Sequence, residues 1–221
     1  MADSRPIVVQ PLDPELLAQL SRLLHKVKHD LSNSLVASMG ELELLASDVV
    51  DAELAERLQD TRRKLLRPFQ ELRRMTASLP LPGRAQMRWT DERQQLDARA
   101  RDVGVTLVWQ PEAHALITDE PALRPVTAAL VTNALDAGTA GVTITVELLP
   151  GTPAALRVRD DGPGCADLVA AANGELIRAG AAHLGLGLRV AASILATQGG
   201  ELTLSTQTPR GFVAVATWPT P

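Results

Sequence analysis

HLGLGLRVAASILATQGGELTL, residues 183–204, is the stretch that decides the fold. It passes from two spaced glycines, Gly185 and Gly187, into an apolar run with helical spacing. Through Gly199 and Gly200 it then enters ELTLST, where apolar and polar residues alternate with the period of a half-buried strand. The same alternation returns downstream in FVAVATW (212–218) and upstream in VTITVEL (142–148) and ALRVRD (155–160), with a shorter β-rich segment, VTLVW, at 105–109. Helical periods stand between them, from about Asp91 to Val103 and from about Glu120 to Ala137. Strands and helices mixed at this spacing predict an α+β sandwich with helices over one face of a sheet.

Further upstream the texture changes. From Asp13 to about Ser47 the residues Leu20, Leu24, Val27, Leu31, Leu35, Leu42 and Leu45 recur at threes and fours, with Asp13 as N-cap and Pro14 at the first helical position. A second such run, Ala52 to Leu79, follows a polar reverse at 47–51. The two predict a helical hairpin, and because a single layer of two helices leaves both stripes uncovered, a homodimeric four-helix bundle. Pro68 inside the second run predicts a kink or break there. LPLPGR (79–84) concentrates Pro and Gly and divides the chain into residues 1–80 and 84–221.

Composition narrows the partners. With 45% hydrophobic and 22% charged residues the 221-residue chain has an ordinary globular balance, and a net charge of -4 offers no basic field for nucleic acid. Aromatics make up 2% and tyrosine is absent, so base stacking is a poor trade and the core must be aliphatic. Cys165 is the lone cysteine and no Cys/His cluster has metal-ligand spacing, which fits a reducing, cytoplasmic setting without structural zinc. The first residues lack a basic start with an apolar run, and no stretch approaches the roughly 18 apolar residues of a membrane helix, so no membrane insertion is expected.

Four places carry chemistry. His29 lies two residues from Val27 and two from Leu31, which at about 100° per residue turns it away from the apolar stripe. Asp30 beside it can orient one ring nitrogen and leave the other as a nucleophile, and Asn33 stands one turn on; alone, the pair reads equally as solvated surface, and His25 shares the face. ALVTNALDAG (129–138) places the amide of Asn133 on a helix. VRDDGPG (158–164) runs a strand into Asp160, Asp161, Gly162 and Gly164, a pattern that serves ligand contact or a plain turn. Gly185 and Gly187 precede a helix, where bare N–H groups receive phosphate oxygens or the glycines merely cap.

Taken together, HDLSNSLVASMGELELL (29–45), ALVTNALDAG, VRDDGPG and the GLGL stretch occur in an order that resembles bacterial sensor histidine kinases, over residues 14 to 219. ITDEPALRPV before the Asn133 stretch and GFVAVATWP at the end are similar to the family's connecting pieces. The resemblance implies a phosphoacceptor His29 assisted by Asp30 and Asn33, and a gyrase-like ATP-binding domain. In it Asn133 would hold Mg²⁺ against the phosphates, Asp160 would read adenine, Gly162 and Gly164 would give the ring room, and Gly185 and Gly187 would border the ATP lid. It implies autophosphorylation of His29 from ATP and transfer to an aspartate of a response regulator receiver domain, chiefly by positioning and charge neutralisation. With only about a dozen residues ahead of the first helix, the input is expected from a separate sensor protein.

The chain departs from the family pattern in several places. Ser34 stands where proline is usual, Ala129 where a second Asn is common, Asp136 where many members have a basic residue, and His183 for the first Gly of the last box. The lid between Cys165 and Ala182 is short, with Arg178 its one cation. These departures sustain an alternative, a histidine phosphotransferase whose degenerate kinase-like domain does not turn over ATP and which shuttles phosphoryl groups between response regulators. A third reading, an anti-sigma-type ATP-binding protein kinase, leaves the His29 stretch unexplained.

Overall fold

The computed structural model of the chain describes residues 5–48, 54, 56–58, 60–61, 88–120, 122–149, 151, 153–165, 167–173, 186–207 and 210–219. Strand β1 (Ile7–Val8) leads to the long helix α1 (Pro14–Asp48). Residues 54, 56–58, 60 and 61 are helical, while Pro68, LPLPGR and the rest of the expected second helix lie outside the described residues. The chain continues as α2 (Trp89–Asp102), β2 (Thr106–Trp109), α3 (Pro111–Asp119), α4 (Leu123–Ala137), β3 (Thr143–Leu149), β4 (Ala154–Asp160), α5 (Leu168–Asn173), α6 (Gly187–Ala196), β5 (Glu201–Thr206) and β6 (Phe212–Trp218). Helices with a mixed six-stranded sheet give the α+β fold that the patterning predicts.

The strand order is β1-β5-β6-β4-β3-β2. β3, β4, β6, β5 and β1 pair antiparallel in succession, whereas β2 runs parallel to β3. Parallel neighbours need a crossover long enough to reverse the chain twice, and α3 with α4 supplies it. The sequence pattern gives one helix here, from about Glu120 to Ala137, which corresponds to α4; the structure adds α3, PEAHALITD, with Pro111 at its first turn. Pro125 is tolerated in α4 because it sits in the first turn, where its missing N–H has no intrahelical acceptor to lose.

One face of the sheet is covered. Ile144, Val146, Leu156, Val158, Leu202, Leu204, Ala214 and Ala216 are buried on it, against Val126, Leu130, Val131 and Ala134 of α4 and Leu188, Ala191, Ala192 and Leu195 of α6. On the other face Glu147 accepts from Arg157 Nε at 2.6 Å and from Arg159 Nε at 2.8 Å. Trp89 and Trp109 pack edge to face, 5.5 Å between centroids, and pin α2 to β2. Their indole N–H groups are both satisfied, Trp89 Nε1 donating to His114 Nδ1 at 3.0 Å and Trp109 Nε1 to Asp97 Oδ1 at 2.8 Å. At the base of α1, Asp13 Oδ1 accepts from the N–H groups of Glu15 and Leu16, the N-cap expected from sequence.

Candidate functional site

The two aspartates at the end of β4 have different tasks. Asp161 points along the edge, where its Oδ1 accepts from Thr143 N at 2.7 Å and holds the start of β3. Asp160 faces the covered side at 7% exposure. Its Oδ1 accepts from Gly162 N at 2.9 Å and from Phe212 N at 3.3 Å. Among the described residues no hydrogen bond reaches Oδ2. Burial pushes the Asp160 carboxyl above the usual carboxylate range, against the two backbone donors that favour the charged form.

Glycines let the backbone close around that carboxylate. A Cβ at Gly162 would sit 2.9 Å from Asp160 Oδ1, so any side chain there would displace the oxygen its own N–H holds. Gly211 has φ +124, and a Cβ on it would run into the carbonyl oxygen of Asp160. The sequence reading took GFVAVATWP as a closing strand and overlooked that Gly211 and Phe212 build the Asp160 site. A glycine immediately before an alternating strand was the available signal, but nothing local says which strand end it will meet.

Helix α4 packs on β4 and on α6, so Asn133 belongs to the helical layer that covers the sheet. Asn133 is partly exposed, and its side chain has no hydrogen bond among the described residues. Ala129, one turn earlier, is 2% exposed. Asp136, one turn later, forms an ion pair with Arg99 of α2, so the acidic residue standing where the family often has a cation is neutralised from another helix. Among the described residues no group of three His, Cys, Asp or Glu is arranged to hold a metal; Asn133 carries an amide oxygen, and Ala129 has no polar side-chain atom.

Gly187 is the first residue of α6, whose opening N–H groups have no acceptor within the helix. Gly164 adopts φ +79 and approaches the carbonyl of Gly211. Gly185, His183 and most of the expected lid lie outside the described residues.

His29 is on α1, with its side chain 67% exposed. Its Nδ1 is 3.4 Å from Asp30 Oδ1 and 3.4 Å from Asn33 Nδ2. Only one of these contacts is satisfied in a given tautomer. A proton on Nδ1 donates to Asp30 and leaves Nε2 with the free lone pair; a proton on Nε2 lets Nδ1 accept from Asn33. The charged acceptor makes the stronger bond and favours the first arrangement. Leu16, Leu23, Leu31 and Leu45 are exposed in the single chain. At about 100° per residue they form one stripe, roughly opposite His29.

Residues 118–221 match the family of histidine kinase-, DNA gyrase B- and HSP90-like ATPases. Full-length ShkA in complex with AMPPNP is similar in structure, with TM-score 0.58 and 22% identity over 94% of this chain and 46% of that one. The present chain thus spans less than half the length of that protein. The mycobacterial sensor histidine kinase MprB aligns with TM-score 0.44 and 19% identity over 59% of this chain and 92% of its own. The catalytic domain of the histidine kinase ThkA, nucleotide-free, aligns with TM-score 0.45 and 16% identity over 59% and 90%. No curated protein matches. Among the described residues no helix is long and apolar enough to cross a membrane.

Proposed function

We propose that this chain, whose residues 118–221 are an ATPase domain of the histidine kinase-, DNA gyrase B- and HSP90-like type, is a cytoplasmic, homodimeric histidine kinase of a two-component phosphorelay. The observation that carries the nucleotide half is the buried carboxylate of Asp160, with Oδ1 held by two backbone donors and Oδ2 left for a ligand. An exocyclic amino group of adenine is a donor of the right kind for that oxygen. Asn133 would hold Mg²⁺ against the phosphates, and the ion would supply charge neutralisation there. Gly162 and Gly164 would give the ring room, and Gly185 and Gly187 would border the ATP lid.

His29 is the acceptor. With its proton on Nδ1 and facing Asp30, the Nε2 lone pair attacks the γ-phosphorus. The P–N bond forms as the bond to the β–γ bridging oxygen breaks, and ADP leaves with that electron pair. Asp30 takes the Nδ1 proton as the ring becomes phosphorylated, and Asn33 stands within reach of a phosphoryl oxygen. In the second step a receiver-domain aspartate attacks the phosphorus, the P–N bond breaks, and the imidazole regains its proton. The stripe of Leu16, Leu23, Leu31 and Leu45 is the surface that a second copy covers.

One observation favours a second reading. Ala129 is buried one turn before Asn133, so the metal end of the site has lost a common ligand, and a histidine phosphotransferase charged by one receiver domain and discharged by another needs no such ligand. Incubation with γ-labelled ATP and Mg²⁺, beside His29→Gln and Asp160→Asn, separates the two. Acid-labile, base-stable label that His29→Gln abolishes is the kinase result. Asp160→Asn keeps an oxygen for the two backbone donors but turns an NH₂ toward the adenine amine, so nucleotide affinity should fall about 10- to 100-fold. Label from a phosphorylated receiver domain and none from ATP would establish the phosphotransferase.

A further inference from the structure

The sheet face away from α4 and α6 carries few charges, and they are grouped. Arg159 stands between Thr145 and Val213 across the strands, and Arg157 between Glu147 and Val215. Most of the remaining strand positions on this face are Val or Thr; Val8 and Val108, at its two edges, are 40% and 41% exposed. Glu201 lies one row further on, at β5. Oε1 of Glu147 accepts from both arginine Nε atoms, at 2.6 and 2.8 Å, while Gln110 Nε2 donates to Oε2 at 3.4 Å. Both oxygens of this buried carboxylate are thereby taken. The arginines are not satisfied to the same degree. A guanidinium carries several N–H donors, yet among the described residues Glu147 is the one partner of each, and both side chains are about a third exposed.

The fold does not ask for this cluster. Threonine or valine at 147, 157 and 159 would continue the face with no charge to bury, and the cluster joins β3 to β4, which are already paired antiparallel. Its effect is to hold two guanidiniums side by side. Residues two apart on a strand are about 6.5 Å apart, a spacing at which the two would otherwise repel, and the single carboxylate leaves one positive charge over on a chain whose net charge is -4. Oriented guanidiniums with valines beside them fit a carboxylate-bearing protein surface better than a lone ion, which would leave the valines in water. The described strands place no aromatic residue on this face, so a nucleic-acid base would find nothing to stack on. We propose that the open face of the sheet, centred on Arg157 and Arg159, docks an acidic segment of a partner protein. This is independent of which donor charges His29.

The test is fluorescence anisotropy of a labelled peptide of alternating Glu and Thr, whose carboxylates repeat at the spacing of the two arginines, titrated with the full chain at low salt. The same peptide with Gln for Glu is the control. Saturable binding is expected, roughly tenfold weaker for the Gln peptide and for Arg157→Gln/Arg159→Gln, with affinity for a fluorescent ATP analogue unchanged in that variant. Arg157→Lys/Arg159→Lys keeps both charges and loses the forked donors, so it should weaken binding by about threefold or more. It carries the test alone if the glutamine variant does not fold. No binding of the Glu peptide, or binding that the Gln peptide equals or that neither double variant weakens, overturns the proposal. So does binding of phosphatidylserine vesicles by a chain that ignores the peptide, since the face would then read a membrane surface.

Discussion

Replacing Gly211 by alanine should be among the costliest single-methyl additions in the chain. Its φ of +124 lies in a region that L-residues avoid, which costs on the order of 1–3 kcal/mol. The new Cβ would also run into the carbonyl oxygen of Asp160, a backbone atom at the end of β4, paired there with β3, that has no rotamer to retreat into. Overpacking against such a neighbour adds about 1–3 kcal/mol, so a total of about 4 kcal/mol is expected, or roughly 8–16 °C in Tm for a chain of this size. Relief by moving the turn would carry Phe212 N away from Asp160 Oδ1 and loosen the carboxylate as well. Two glycines calibrate the measurement. Gly141 has φ +88 with nothing within 4 Å of a Cβ, so Gly141→Ala pays only the conformational cost, about 1–2 kcal/mol. Gly40, inside α1 with open space around it, should become more stable by up to about 1 kcal/mol as alanine. Urea unfolding followed by the fluorescence of Trp89, Trp109 and Trp218 reads all three variants. If Gly211→Ala unfolds no earlier than Gly141→Ala, the close approach to Asp160 is not what fixes that glycine.

Burial, with the Arg93 charge beside it, holds His114 below the ordinary imidazole range. The unfolded chain therefore takes up a proton first, and melting temperature should fall as pH drops below about 6.5; His114→Gln, which still accepts from Trp89 Nε1, should flatten that slope. Asp160 has the opposite sense, its carboxyl raised by burial, so affinity for ATP should begin to fall at a higher pH than an ordinary carboxylate would dictate. Equilibrium titration of a fluorescent ATP analogue across that range would expose a pH-independent affinity. Glu147→Gln removes the charge that draws Arg157 and Arg159 together, and because both arginines are about a third exposed the loss should be only about 1 kcal/mol in urea unfolding. A loss above about 3 kcal/mol would mean that the triad is shielded from solvent more than its exposure indicates.

Elements with a clean period were legible. ELTLST and FVAVATW coincide with β5 and β6, since one covered face imposes strict alternation on each. The Asp13 cap was legible because its signal is local. β1 was not, because two residues show no period and Ile7 and Val8 owe their strand to the free edge of β5, nearly two hundred residues away. α3 was missed because a nine-residue helix beginning at proline looks, in sequence, like the lead-in to α4. Residue type and order single out Asp160, Asn133 and His29 as candidates, yet which of Asp160 and Asp161 turns inward is a matter of strand register. Arg99 opposite Asp136, and Gly211 against Asp160, are juxtapositions across 37 and 51 positions that no local pattern contains.

The two proposed functions diverge only at the phosphate end, and the adenine end can be judged by what the fold itself needs. The backbone donors at Gly162 and Phe212 ask for one oxygen at position 160, and an asparagine would supply it without the cost of burying a charge. Aspartate stands there instead, with its carboxyl raised by that burial and Oδ2 bonded to nothing among the described residues. A group that costs stability and answers no structural demand is explained by a donor arriving from outside, which under the kinase reading is a nucleotide base. The phosphate end offers no such surplus. Ala129 packs as part of the core, and Asp136 is engaged by Arg99. Nucleotide recognition is therefore the better supported half of the proposal, and binding of ATP, by itself, decides nothing about whether His29 receives its γ-phosphoryl group.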